Sequence, residues 1–108
     1  MILEINTANN ETIVLSLKQG KKIIDQISLP ARREQAEKLL PGILKLLKNH
    51  KFKPEDLRGI DVETKGDSFT ALRIGVITAN ALAFALKIPL NGKRQIVKPR
   101  YNREPNIG

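Results

Sequence analysis

The stretch Ser68–Leu86, SFTALRIGVITANALAFAL, constrains this chain more than any other. Gly66, Asp67 and Ser68 stand just before it. A Ser or Asp oxygen there can accept a bond from an otherwise orphan N–H of the first helical turn. No proline follows until Pro89, so the run predicts a helix of roughly five turns that stops at Lys87. After Thr70 its polar side chains are Arg73, Thr78 and Asn80. A surface helix has one apolar stripe and one wet face; this one asks for cover on nearly every side. Ala71, Gly75, Ala79 and Ala83 recur every fourth residue and share a face that another backbone can approach closely. Two readings stay open: a central helix covered wholly by its own domain, or one side on the chain's own sheet and the other against a second helix. A membrane span is not expected. The uninterrupted apolar run falls well short of roughly 20 residues, and Asn80 lies inside it.

A chain of 108 residues supports one domain with a real core. It has no cysteine, which excludes disulfides, thiolate metal sites and a cysteine nucleophile. A single histidine, His50, excludes the usual multi-histidine zinc sites. The N-terminus shows no basic-then-apolar leader, so the expectation is a cytoplasmic protein. Nineteen Lys+Arg against eleven Asp+Glu give a net charge of +8, which favours an anionic partner such as nucleic acid. Against that, the lysines are spread out, and one Tyr and three Phe make no base-stacking platform.

In chain order, Ile2–Asn6 reads as a strand, Thr7–Asn10 as a turn, and Glu11–Leu17 as a returning strand. After Gln19-Gly20, Lys21–Leu29 makes a third strand, so an antiparallel meander opens the domain. Ala31–Asn49 shifts to a helical period, with Ala36, Leu39, Leu40, Ile43, Leu44 and Leu47 as its stripe. Pro41 predicts either a bend or two short helices. Lys53–Asp56 reads as a helical turn, Leu57–Thr64 as a fourth strand, and Ile88–Asn91 as a last short strand. The order β-β-β-α-β-α-β predicts an α/β sheet with both helices as crossovers. From Gly92 the basic tail GKRQIVKPRYNREPNIG is expected to run extended.

Three segments together resemble the TsaB (YeaZ-like) family. MILEINTANNETIVLSL is similar to the family opening ILxIDTS, and QAEKLLPGILKLL to its helix HSExLLPxIxxLL. DSFTALRIGVITANALAFALKIPLNG is similar to GSFTGLRIGxATAKGLAxALxIPLxG. The resemblance covers roughly the first 92 residues and implies one actin/Hsp70-like (ribonuclease H-like) lobe over 1–92. Residues 93–108 form a tail in which PRYNREPNI resembles the family's ending. Typical members have two such lobes, so the expectation is a natural single-lobe version. Three departures bear on chemistry: Asn6 stands where the family's strand ends in Asp, Gln35 where its helix has His, and Lys65-Gly66-Asp67 where it has a glycine-rich turn. In the wider superfamily that acid helps hold a metal–nucleotide complex, so its loss argues against nucleotide chemistry here.

The resemblance implies a non-catalytic partner subunit in tRNA threonylcarbamoyladenosine synthesis. Such a subunit binds the catalytic TsaD helix to helix, works beside a TsaE-like ATPase, and meets tRNA through the complex. Without TsaD the same helices could pair into a homodimer. The sequence itself offers no triad, metal-ligand spacing or cofactor motif. The candidate contacts are Leu39, Ile43 and Leu47 on the first helix, with Leu72, Gly75, Val76, Ala79, Leu82 and Ala83 on the second. Helical period alone leaves open which of them are core. On this reading Gly75→Leu blocks partner binding and leaves the fold soluble. Arg73 either pairs with an acid or binds an anion; Arg100, Tyr101 and Arg103 are candidate partner or tRNA contacts. Two alternatives remain: a stand-alone basic RNA-binding module, marked by steep salt dependence of tRNA binding, and a remnant nucleotide-binding protein, marked by hydrolysis sensitive to Asn6 or Arg73.

Overall fold

Alternation of apolar and polar residues builds the sheet. The computed structural model describes residues 1–94, Lys98 and the backbone of Arg100–Tyr101. In it β1 (Ile2–Asn6) pairs antiparallel with β2 (Thr12–Gln19), and β2 with β3 (Lys22–Pro30). Leu3 stands opposite Leu17 and Ile5 opposite Leu15, so the period of two gathers them on one face. The expected meander is present, with a register shift at Leu17/Lys18.

After β3 the chain turns through Ala31–Glu34, where Arg33 takes a left-handed φ of 60°. This delays the helix: α1 runs Gln35–Asn49, not from Ala31. Pro41 lies inside it without dividing it. Packing offsets the missing hydrogen bond here, because the neighbouring Gly42 is buried against β-sheet side chains. A Cβ on Gly42 would stand 2.6 Å from Leu29 Cδ1 and 3.3 Å from Leu15 Cδ1.

A 3-10 turn at Pro54–Asp56, closed by the Lys53 N–H donating to Asp56 Oδ2 at 2.8 Å, leads into β4 (Gly59–Val62). β4 pairs parallel with β1, Leu3 opposite Ile60 and Ile5 opposite Val62, and completes the order β3-β2-β1-β4. Then come β5 (Lys65–Gly66), α2 (Phe69–Leu86) and β6 (Arg100–Tyr101), which pairs parallel with β5. The strand expected at Ile88–Asn91 shrinks to one parallel bridge, Ile60 to Leu90. The cause is the Asn91-Gly92 pair, whose φ values of 51° and 75° turn the chain back so that Leu90 and Lys93 exchange both backbone bonds.

Both helices lie on one face of the sheet: α1 touches β2 and β3, α2 touches β1 and β4, and the helices touch each other. Leu3, Ile5, Leu15, Leu17 and Ile60 meet Leu39, Ile43, Leu47 and Val76 in one buried core. Each fully buried Leu or Ile is worth about 1.5–3 kcal/mol relative to exposure. The other sheet face is polar; Lys18 Nζ donates to Glu4 Oε2 at 3.2 Å and Gln26 Nε2 to Ser16 Oγ at 2.9 Å.

The two helices run in the same sense, opposite to β1 and β4. Their N-termini share the upper end of the lobe with the β1–β2 turn, where Gln35 Nε2 donates to the Asn10 carbonyl. Their C-termini share the lower end, where the Arg58 N–H donates to the Met1 carbonyl at 2.8 Å and the Ile60 N–H to the Pro89 carbonyl at 3.1 Å.

Candidate partner-docking surface

Capping fixes how α2 presents its faces. Ser68 is the N-cap, its Oγ accepting from the Ala71 N–H at 3.4 Å. Lys87 ends the helix with a left-handed φ of 57°. By length and composition α2 is apolar enough to cross a membrane, yet here one side of it lies in the core.

That side carries the small residues. Ala71, Leu72, Gly75, Val76, Ala79 and Ala83 are buried against the chain's own sheet. The closest approach is at Gly75: a Cβ there would stand 2.2 Å from Thr7 Oγ1. The line of small residues thus admits β1 and its turn, not a foreign helix. On α1, Leu39, Ile43 and Leu47 are likewise buried, and Leu82 of α2 is half-buried against the core. Eight of the nine residues expected as partner contacts are thus core of the lobe itself, where a covered side chain offers nothing to a second surface, and Leu82 is the one that keeps partial exposure. Gly75→Leu would therefore disrupt the lobe itself.

A second set of large residues is left outside. Leu40 and Leu44, one turn apart on α1, are exposed, as are Phe69, Ile77 and Phe84 on α2. Ile77 is 55% and Phe84 87% exposed, well beyond ordinary edge exposure for such side chains. Arg73 is exposed between Phe69 and Ile77 on the same face. The sequence held that signal: a lone charge on a helix marks its open side, and Phe69 and Ile77 lie four residues from it. Beyond the foot of α2, Phe84, Ala83, Ile88 and Leu90 line a hollow of about 420 Å3 rimmed by Lys87, Lys93 and Arg94.

At the upper end, Ala8–Glu11 and Gly66–Thr70 border an open hollow of about 730 Å3. Two of the three departures from the family pattern hold the β1–β2 turn. Asn6 Oδ1 accepts from the Ala8 N–H at 2.9 Å, and the buried Gln35 reaches the Asn10 carbonyl. Arg100 and Tyr101 pair through their backbone with Lys65 and Gly66; their side chains, and Arg103, lie outside the described residues. On the polar sheet face Asp61 has its carboxyl pushed above the usual 3.8, by burial first and then by Glu4 beside it, with Lys18 opposing. Among the described residues no His, Cys, Asp and Glu cluster could hold a metal ion.

Four strands in the order 3-2-1-4 with both helices on one face define a single ribonuclease H-like, actin-like α/β lobe. Residues 26–93 match the family described as TsaD: tRNA N6-adenosine threonylcarbamoyltransferase. The chain belongs to that family, as a TsaB/YeaZ-type protein. It is 35% identical over 92 residues to the tRNA threonylcarbamoyladenosine biosynthesis protein TsaB of Buchnera aphidicola subsp. Schizaphis graminum (strain Sg), covering 85% of this chain and 43% of that protein. With TsaB of Bacillus subtilis (strain 168) the identity is 31% over 90 residues, 83% of this chain and 39% of that one. YeaZ from Pseudomonas aeruginosa superposes with a TM-score of 0.75 at 25% identity, over 82% of this chain and 41% of that chain. The chain therefore spans less than half the length of the curated relatives it matches.

Proposed function

We propose that the chain is a non-catalytic partner subunit that docks on a TsaD-like catalytic subunit and stabilises or activates it in tRNA threonylcarbamoyladenosine synthesis. One observation carries this reading: Leu40 and Leu44 of α1 and Ile77 and Phe84 of α2 are left in water on the helix side of the lobe. At about 25 cal/mol per Å2, apolar surface of this size favours a matching helical surface over solvent. The curated relatives are named as biosynthesis proteins of this tRNA modification, which supports the pathway. A cytoplasmic setting, a TsaE-like ATPase alongside and tRNA as the object of the complex follow from the same reading.

The test is co-purification with the host's TsaD homologue, read by size exclusion with light scattering. A 1:1 complex is expected, and Ile77→Asp/Phe84→Asp should abolish it while leaving the thermal midpoint of the isolated chain within a few degrees. If the double variant binds as well as the parent, the docking face is misplaced. A chain that forms only homodimers and ignores TsaD overturns the partner reading.

A further inference from the structure

Residues 1–94 carry sixteen Lys+Arg against ten Asp+Glu, and these charges are not spread evenly over the lobe. At the upper end cations and acids balance in number: Arg32 pairs with Glu11 at 3.7 Å and Lys38 with Glu34 at 3.2 Å, and exposed Arg33, Lys65 and Arg73 share that end with Glu37, Glu63 and Asp67. The lower end is different. The β2–β3 turn brings exposed Lys21 and Lys22 there, and the segment after α1 adds exposed Lys51, Lys53 and Arg58. The Asn91-Gly92 turn returns Lys93 and Arg94 beside Lys87, and Arg94 Nη1 donates to the Lys87 carbonyl at 3.4 Å. The acids in these connections are Glu55 and Asp56, and Asp56 already caps the Lys53 N–H.

Basic residues at helix C-termini ordinarily complement the helix dipole, which accounts for Lys48 and Lys87. It does not account for Lys21, Lys22, Lys53 and Arg58, which lie outside both helices. We propose that this lower end is a contact surface for RNA backbone phosphates, so that the chain itself touches the tRNA on which its complex acts. The choice of RNA rests on the function proposed above. The chemistry agrees with it: lysines on several connections act as point charges that hold a folded polyanion without reading its bases. A lipid surface fits less well: Ile23 and Phe84 are exposed apolar side chains beside these cations, but Leu40, Leu44 and Ile77 lie up the helix flank, so apolar and basic groups do not form one plane.

The experiment is fluorescence anisotropy of a labelled, unmodified tRNA transcript titrated with the chain between 50 and 300 mM KCl. Two double variants make the same change in charge at opposite ends: Lys51→Glu/Lys53→Glu below, Arg33→Glu/Lys65→Glu above. Expected are binding that weakens steeply with salt, a loss of about tenfold or more with a salt slope shallower by about 2 for the lower pair, and less than about threefold loss for the upper pair. Equal losses for both pairs overturn the proposal, as does absence of tRNA binding or binding only to phosphatidylserine vesicles. Co-purification of the same variants with TsaD separates the two readings. If the parent chain ignores TsaD while the lower pair alone loses tRNA, the partner reading fails and the phosphate surface stands.

Discussion

The Asn91 side chain takes the place of a fifth strand for Val62: its Oδ1 accepts from the Val62 N–H at 2.7 Å and its Nδ2 donates to the Val62 carbonyl at 3.1 Å. One carboxamide thus satisfies both backbone groups at the open edge of β4. Asn91→Gly keeps the left-handed turn but removes both bonds. It should cost about 1–3 kcal/mol in urea unfolding. Unchanged stability would mean that water replaces the amide at no cost.

Gly75 and Thr7 set the spacing between α2 and β1. Gly75→Ala should destabilise by about 1–3 kcal/mol, because the new methyl and the Thr7 hydroxyl claim the same space. Thr7 Oγ1 is buried without a hydrogen-bond partner, so trimming it leaves no acceptor orphaned. Thr7→Ala combined with Gly75→Ala should therefore recover most of the loss. Additive losses in the double variant would show that the two residues do not compete.

Acid should loosen the foot of α1. The Asp25 carboxylate accepts from or faces His50 Nε2 at 2.8 Å, and this contact holds its carboxyl below the usual 3.8. A carboxyl depressed by folding contributes stability that is present above its unfolded value and lost as pH falls through the folded one. The deficit in thermal midpoint of Asp25→Asn against the parent should be full at pH 6 and close toward pH 3. A deficit constant across that range would remove the ionised carboxylate from the account.

Asp61 carries the opposite sign. Its carboxyl is raised, so folding is opposed by its charge at neutral pH; the opposition fades as pH falls through the raised value and is gone below the usual 3.8. Asp61→Asn should raise the thermal midpoint at pH 7 by roughly 1–3 °C after screening at a half-exposed site, and change nothing at pH 3. A lowered midpoint at pH 7 would show that Lys18 outweighs burial and Glu4.

Strands, helices and their order were legible because Leu3, Ile5, Leu15 and Leu17 alternate and Leu39, Ile43 and Leu47 recur with helical period. Two things were not. The final strand was lost to the Asn91-Gly92 turn, whose hairpin chemistry lay in plain view beside Leu90. The split of α2 and α1 into core and open sides is not legible either, since an all-apolar helix gives periodicity no contrast to work with. The line of small residues fits a foreign helix or the chain's own sheet equally well in sequence, and the approach of Thr7 to Gly75 decides for the sheet. Arg73 carried the contrast that the apolar residues lacked.

The parallel pairing of Ile2 with Gly59 has a consequence for the order of assembly. β1, β2 and β3 meet through short turns, whereas β4 must close a loop containing all of them and α1. The meander is expected to form first, and α2, the most apolar element, to find its seat last. During synthesis that helix emerges before the Asn91 clamp that closes the edge beside it. Pulsed hydrogen exchange during refolding should find amides of β2 and β3 protected ahead of those in β4. The interval between the two is when this chain is most exposed to aggregation.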